Sequence, residues 1–141
     1  MRAACVAALF ALALHGPHAR AEGPPRRSAA GPSLRIEAPK ALVVGTAAAI
    51  DVLVRTAEGP EQPLLLTPTA EGEAVRVVRG RLLRADAART PEGELRFAVP
   101  IVARRAGTSV LRVELLTYQC TNAGCTAVRV SASQILQVGG P

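Results

Sequence analysis

Apolar residues recur at every second position in several stretches of this 141-residue chain. The clearest stretch follows the turn-forming residues 90–93, and its apolar positions are Leu95, Phe97, Val99, Ile101 and Ala103. Side chains on a β-strand point alternately to opposite faces, whereas an amphipathic helix repeats its apolar positions about every 3.6 residues. The alternation therefore predicts strands with one buried face and argues against a helical bundle.

Turn-forming residues divide the rest of the chain into further candidate strands. Strands are predicted over residues 34–38, 50–55, 64–67, 74–79, 95–103, 110–120 and 126–138. Pro39 and Pro68 are expected to end the first and third strands, and Pro100, which has no N–H to donate, predicts an edge position or a bulge. Residues 81–89 fit either a short strand or a short helix, because alanine and arginine favour a helix while the flanking segments favour strands.

About seven strands in a chain of this size are typical of a single all-β domain. We predict an immunoglobulin-like antiparallel β-sandwich over residues 34–138, with a small closed β-barrel as the alternative. A multidomain enzyme is excluded because 141 residues are too few for two domains of ordinary size.

The first 21 residues have the pattern of a secretory signal peptide. They comprise a short basic start, an uninterrupted apolar run over residues 3–14, and Ala19-Arg20-Ala21, after which cleavage is expected. The twelve apolar residues would span about 18 Å as a helix, less than the roughly 30 Å hydrocarbon core of a bilayer. Cys5 lies at the start of this run rather than after it, so it is not expected to carry a lipid.

Residues 22–33 are rich in proline and glycine and predict a flexible leader before the domain. No later stretch approaches the roughly 18 apolar residues that a membrane helix needs. The mature protein is therefore expected in the periplasm or outside the cell, without a membrane span.

The residues after the signal peptide lack groups on which many functions depend. Both histidines, His15 and His18, fall within the signal peptide, which excludes His-dependent catalysis and His-ligated metal sites. The only aromatic residues that remain, Phe97 and Tyr118, are too few for a surface that stacks nucleic-acid bases. We therefore predict no cofactor, no metal and no nucleic-acid partner for the mature protein.

Charged side chains are expected to lie in solvent. Five arginines crowd into one segment and are predicted at outer strand positions: Arg76, Arg79, Arg81, Arg84 and Arg89. Four carboxylates border turns and are predicted to be loop charges: Glu58, Glu61, Glu71 and Glu73. Asp51 and Glu114 alternate with apolar residues and should face outward from their strands.

Two cysteines remain in the mature chain, Cys120 and Cys125, and an even number in an oxidising compartment predicts a disulfide. The four residues between them are typical of a hairpin loop, with Gly124 in the left-handed region. Such a hairpin places the cysteines opposite each other, at about 4.5 to 5.5 Å between Cα atoms. The disulfide is either a structural staple or a labile, redox-active pair, and two thiolates alone do not complete a zinc site.

The stretch Gly107 to Cys125 (GTSVLRVELLTYQCTNAGC) resembles the N-terminal immunoglobulin-like domain of the periplasmic thiol:disulfide interchange protein DsbD. The resemblance rests on a glycine turn, an alternating strand, Tyr118-Gln119-Cys120 and a second cysteine after a short loop. It implies that Cys120 and Cys125 accept electrons from a thioredoxin-like partner and pass them to periplasmic thiol proteins, with Tyr118 shielding the pair. The chain differs from that family in having four rather than five residues between the cysteines.

Two functions are compatible with these features. The first is an exported domain that exchanges electrons with partner proteins through Cys120 and Cys125, and that depends on a separate protein as its electron source. The alternative is a non-enzymatic structural or protein-binding β-sandwich, in which the disulfide only stabilises the hairpin and a sheet edge or loop binds the partner. A stand-alone enzyme is not expected in either case.

Overall fold

The computed structural model of the protein describes residues 31–56 and 62–140. The predicted signal peptide and most of the predicted leader lie outside the described residues, as do residues 57–61. Cleavage after Ala21 and the leader therefore stay predictions.

The described part of the chain forms ten β-strands and a single turn of 3₁₀ helix at Arg84–Asp86. The strands are β1 (Ser33–Glu37), β2 (Leu42–Val43), β3 (Ala47–Arg55), β4 (Leu65–Glu71), β5 (Val75–Val77), β6 (Leu82–Leu83), β7 (Ala88–Arg89), β8 (Leu95–Ala103), β9 (Gly107–Thr121) and β10 (Gly124–Gly139). Ten strands are found rather than about seven because three very short ones, β2, β6 and β7, add to the seven that were predicted.

The strands form two sheets that pack face to face. The first sheet has the order β1-β3-β8-β5, with β7 also paired to β8, and the second has the order β2-β10-β9-β4-β6. All pairs are antiparallel except β2 with β10. The predicted immunoglobulin-like antiparallel β-sandwich is confirmed, and the two separate sheets show that the closed-barrel alternative is wrong.

The core lies between the sheets and consists of the inward-facing residues that the alternation predicted. In β8 the five predicted apolar positions are all buried. Phe97 and Ile50 from the first sheet and Leu111 and Leu115 from the second are among the largest fully buried side chains. Because burial of such a side chain contributes about 1.5 to 3 kcal/mol, this layer is the main source of the stability of the domain.

Pro100 lies in a central strand, so the predicted edge position is wrong for β8 as a whole. It is opposite Ala49 of β3, and its carbonyl accepts a hydrogen bond from Val78 N at 2.9 Å on the other side. The N–H and C=O of one strand residue point to the same side, so the missing donor also faces that side. On that side Pro100 lies between the residues of β8 that pair with β5 and those that pair with β7. The missing donor therefore breaks no hydrogen bond of either ladder.

Pro68 does not end its strand, because β4 continues to Glu71 and Pro68 lies opposite Val113 of β9. On its other side β4 pairs with β6 only at Leu65 and Leu66. From Thr67 onward β4 is therefore locally an edge strand, where proline is tolerated.

Both alternatives for residues 81–89 occur in succession. β6 is followed by the turn of 3₁₀ helix at Arg84–Asp86 and then by β7. The turn predicted at residues 90–93 is confirmed, since Gly93 N donates to Thr90 O at 3.0 Å and Gly93 has a φ of +85°.

Candidate functional site

Strands β9 and β10 form a long hairpin, and the two cysteines lie near its end. The ladder runs from Gly107 opposite Val138 to Thr121 opposite Gly124. Cys120 and Cys125 are direct cross-strand partners and form a disulfide, with their Cα atoms 4.0 Å apart. The predicted disulfide is thus present, with Cα atoms slightly closer than expected.

The hairpin turn is tighter than the predicted four-residue loop. Only Asn122 and Ala123 lie outside the strands, because Thr121 and Gly124 pair with each other. The Thr121 hydroxyl accepts a hydrogen bond from Ala123 N at 3.2 Å, and Gly124 has a φ of +132°, which favours glycine. This backbone geometry sets the register that aligns the cysteines.

The segment that leads into β4 runs beside the disulfide. Gln62 Nε2 donates to Cys120 Sγ at 3.1 Å, and Arg84 Nε donates to Gln62 O at 2.7 Å. Thr117 Oγ1 donates to Pro63 O at 3.4 Å. Cys120 is half-buried by this packing, whereas Cys125 is exposed.

Apolar side chains form a row on the outer face of the second sheet next to the disulfide. Leu83 lies opposite Leu65, which lies opposite Leu116 on its other side. Their neighbours Leu66 and Leu115 are fully buried, so the row faces away from the core.

Tyr118 extends this row toward the disulfide. It follows Leu116 on the same face of β9, lies opposite Ala127, and precedes Cys120 on that face. We call Leu65, Leu83, Leu116, Tyr118 and Ala127 the outer patch. The role of Tyr118 as a shield of the cysteines stays a prediction, although the structure places both on one face.

The nearest basic residue in sequence to the cysteines is engaged by a carboxylate. Arg129 Nη1 lies 2.5 Å from Glu114 Oε1, and both side chains project from the outer face of the hairpin. Glu114 thus faces outward as predicted. A cation that is paired in this way is less able to stabilise a thiolate.

The five crowded arginines do not form one basic surface. Arg79 makes a two-bond ion pair with Asp86, at 2.8 and 3.0 Å. The pKa of Asp86 is lowered by the hydrogen bond from Leu83 N and, to a smaller extent, by the bonds from Arg79. Arg84 is half-buried, and burial lowers its pKa, with a further contribution from the charge of Arg89.

The predicted outer strand positions hold for Arg76 and Arg89, which are exposed on β5 and β7. They are wrong for Arg79 and Arg81, which lie between strands, and for Arg84, which lies in the 3₁₀ turn. The reason is that the chain turns within residues 78–87 instead of continuing as a strand.

Most carboxylates pair with arginines at the surface. Glu71 lies 3.6 Å from Arg112, Glu73 pairs with Arg105, and Asp51 lies 3.9 Å from Arg96 on the outer face of its sheet, as predicted. Glu58 and Glu61 lie outside the described residues.

Glu94 is a site residue that the sequence analysis missed. Its side chain is only 10% exposed and binds Arg55 at 3.0 Å and Arg35 at 3.3 Å. These partners are far away in sequence, so local patterns contain no signal for this cluster. Since all three groups are paired, the cluster is a structural element rather than a reactive one.

Within residues 31–56 and 62–140, no cluster of three or more potential metal ligands occurs. None of the helices described there is long and apolar enough to cross a membrane.

Comparison with known proteins adds little to this description. No protein-family model and no curated protein matches the chain. A solved structure that matches is AggA, the major subunit of aggregative adherence fimbriae type I from Escherichia coli. It is 12% identical, the match covers 77% of this chain and 95% of that chain, and the TM-score is 0.42.

Proposed function

We propose that the protein is a non-enzymatic, exported β-sandwich that binds another exported protein through the outer patch. The observation that carries this proposal is the apolar row on an outward face, where strand residues are usually polar. Leu83, at the end of the row, is 55% exposed. Leu65, Leu116 and Tyr118 are partly buried and continue the apolar surface from Leu83 across the strands, and contiguous apolar surface is characteristic of protein interaction sites.

The surrounding structure makes this face rigid enough to bind. Leu65 and Leu116 belong to a ladder of seven residue pairs between β4 and β9. The disulfide closes the hairpin a few residues away, and a ring of this size stabilises the fold by about 2 kcal/mol through the entropy of the unfolded chain. A face that is already ordered loses little conformational entropy when a partner binds.

The chemistry of the chain also favours binding over catalysis. No histidine follows His18 in the sequence, and the charged groups beside the outer patch include two ion pairs, Arg129 with Glu114 and Arg79 with Asp86. The disulfide is the group near the patch with redox potential, and its simplest role is to hold the hairpin.

Photo-crosslinking tests this proposal. A photoreactive amino acid in place of Leu83 should give a covalent adduct with one exported protein when the chain is expressed in its native cells. The same amino acid at Ala98, which is exposed on the opposite sheet, should give no such adduct. Leu116→Asp should abolish the adduct at position 83, and equal adducts from both positions would contradict the proposal.

Thiol–disulfide exchange is a second candidate function. It is supported by the exposure of Cys125 and by the placement of Tyr118 on the same face as the cysteines. In this function a dithiol of a thioredoxin-like partner attacks the disulfide and is oxidised. The Cys120 and Cys125 thiols that form then reduce a disulfide in a target protein.

The reduction potential of the cysteine pair separates the two functions. Equilibration with defined thiol buffers, followed by alkylation and mass measurement, should give a value below about −300 mV for a structural disulfide. A value above about −250 mV, together with a mixed disulfide trapped by Cys125→Ser or Cys120→Ser, would instead establish the exchange function.

A further inference from the structure

Strand β10 has a long outer edge without a partner strand in the described part of the chain. On its inner side it pairs with β9 along nearly its whole length. On its outer side β2 pairs with it only at Val138 and Gly139. Among the described residues, no strand therefore pairs with residues 125–136 on this side, although β1 of the first sheet packs close to β10.

The hydrogen-bonding pattern shows which backbone groups point outward along this edge. The Gly139 carbonyl accepts a bond from Val44 N at 3.2 Å, so the groups of Gly139 point toward β2. Since the direction alternates along a strand, the odd-numbered residues from Cys125 to Ile135 direct their N–H and C=O groups to the same side. The Gln134 side chain, which donates to Ile135 O at 3.2 Å, agrees with this assignment.

This edge lacks the features by which edge strands normally avoid pairing. Proteins protect such edges with charges, proline or bulges. Between Cys125 and Leu136 there is no proline, and a single charged residue, Arg129, which pairs with Glu114 of β9. Ile135, which is 62% exposed, adds an apolar side chain to the open edge.

We propose that β10 pairs antiparallel with β10 of a second copy of the chain, around a twofold axis at Val130. In this register Arg129 lies opposite Ser131 of the second copy, and Ile135 lies opposite Cys125 of the second copy. The outward-directed groups of the two edges then bond to each other, and the two second sheets join into one. This pairing is independent of the outer patch and goes beyond the proposed function.

Two constraints exclude the neighbouring registers. A shift of one residue in the axis toward the hairpin end would place Arg129 opposite Arg129 of the second copy, and like charges in direct opposition are unfavourable. A shift of one residue the other way would bring Gly124 of the second copy opposite Val138, where Leu42 of β2 already lies. The register centred on Val130 avoids both conflicts and retains a ladder from Cys125 to Ile135.

Analytical ultracentrifugation of the mature protein over a wide concentration range is the first test. The wild type should sediment as a concentration-dependent dimer with twice the mass of one chain. Ser131→Lys, which places a lysine opposite Arg129 twice in the dimer, should weaken association by about tenfold. Ala98→Lys adds the same charge on the outer face of the other sheet and should leave the dissociation constant unchanged.

The register has its own test. Val130→Cys should form a disulfide between copies under mild oxidation, because directly opposed residues of this type have Cα atoms about 4.5 Å apart. Ser133→Cys, which is exposed but not opposite itself, should not. A protein that stays monomeric at all concentrations, or crosslinking at position 133 and not at 130, would overturn the proposal. Far-ultraviolet circular dichroism of each variant shows that it is folded.

Discussion

Each of the two sheets has a leucine on its outer face, but the two leucines differ in how much of the side chain is exposed to solvent. On the first sheet Leu53 lies between Arg35 and Arg96 and is only 5% exposed. On the second sheet Leu83 is 55% exposed. The long aliphatic stems of arginine cover apolar surface while their charges remain in water. The first face is therefore covered by its own charged residues, whereas the second leaves Leu83 in solvent.

Carboxylates hold the arginines of the first face in place. Glu94 binds both Arg35 and Arg55, and Arg96 lies near Asp51. Beside the outer patch, Arg129 pairs with Glu114 next to Leu116, and Arg79 pairs with Asp86 next to Leu83. An apolar residue on a sheet surface is thus structural or available for binding according to which long side chains flank it.

Substitution of the two leucines should give the largest contrast. Leu53→Ala should lower the free energy of unfolding by about 2 kcal/mol, because a buried side chain is lost. Leu83→Ala should change it by less than about 0.5 kcal/mol, because its side chain is largely in solvent. Urea unfolding measures both values, and similar losses for the two variants would show that the faces do not differ.

Removal of the disulfide should lower the free energy of unfolding by slightly less than Leu53→Ala does. The double variant Cys120→Ser with Cys125→Ser should lose about 2 kcal/mol of stability or less, since the closed ring is short. Unfolding of the wild type with and without reductant should reproduce the difference. The double variant itself should be insensitive to reductant, and a response there would mean that the reductant acts elsewhere.

Loss of the buried Glu94 carboxylate should lower the free energy of unfolding by a smaller amount. Glu94→Gln should cost about 1 kcal/mol, because the arginines it binds are mostly exposed and solvent weakens their ion pairs. Glu37→Gln is the matched control, since Glu37 also binds Arg35 but is half-exposed, and it should have almost no effect. Thermal or urea unfolding of both variants provides the measurement.

The smallest effect is expected from Asp86, which accepts a hydrogen bond from Leu83 N and so supports the open face. Its pKa is lowered in the folded protein by that bond and by the bonds from Arg79. The stabilisation is therefore complete above the unfolded pKa of 3.8 and disappears as the pH falls through the lower folded value. The stability difference between the wild type and Asp86→Asn should shrink on acidification, and a difference that grows at low pH would contradict this.

The strands were predictable where alternation is long and uninterrupted. Phe97 and Leu115 were assigned to buried faces because period-two alternation is a local property of the backbone. The cysteine pairing was also predictable, since a hairpin aligns residues that are close in sequence. In contrast, the row of Leu83, Leu65 and Leu116 joins three distant segments, and no local pattern indicates that they are neighbours.

The prolines also separate what is local in the sequence from what depends on neighbouring strands. The sequence reveals that Pro100 and Pro68 lack a hydrogen-bond donor, but whether a donor is needed depends on the strand on the other side. Pro100 lies in a central strand and loses nothing, because its free side falls between β5 and β7. Pro68 lies within β4 and not at its end, because β6 is too short to reach it.

By itself the sequence determined that the described domain is all-β, which faces of its longest strands are buried, and that Cys120 pairs with Cys125. These properties depend on backbone periodicity and on residues near one another in the chain. Only the tertiary structure decided which strands become neighbours, and hence that Leu53 is covered, that Leu83 is exposed and that residues 125–136 of β10 have no outer partner strand within residues 31–56 and 62–140. Pairing of distant strands depends on the packing of the whole core, which no single segment encodes.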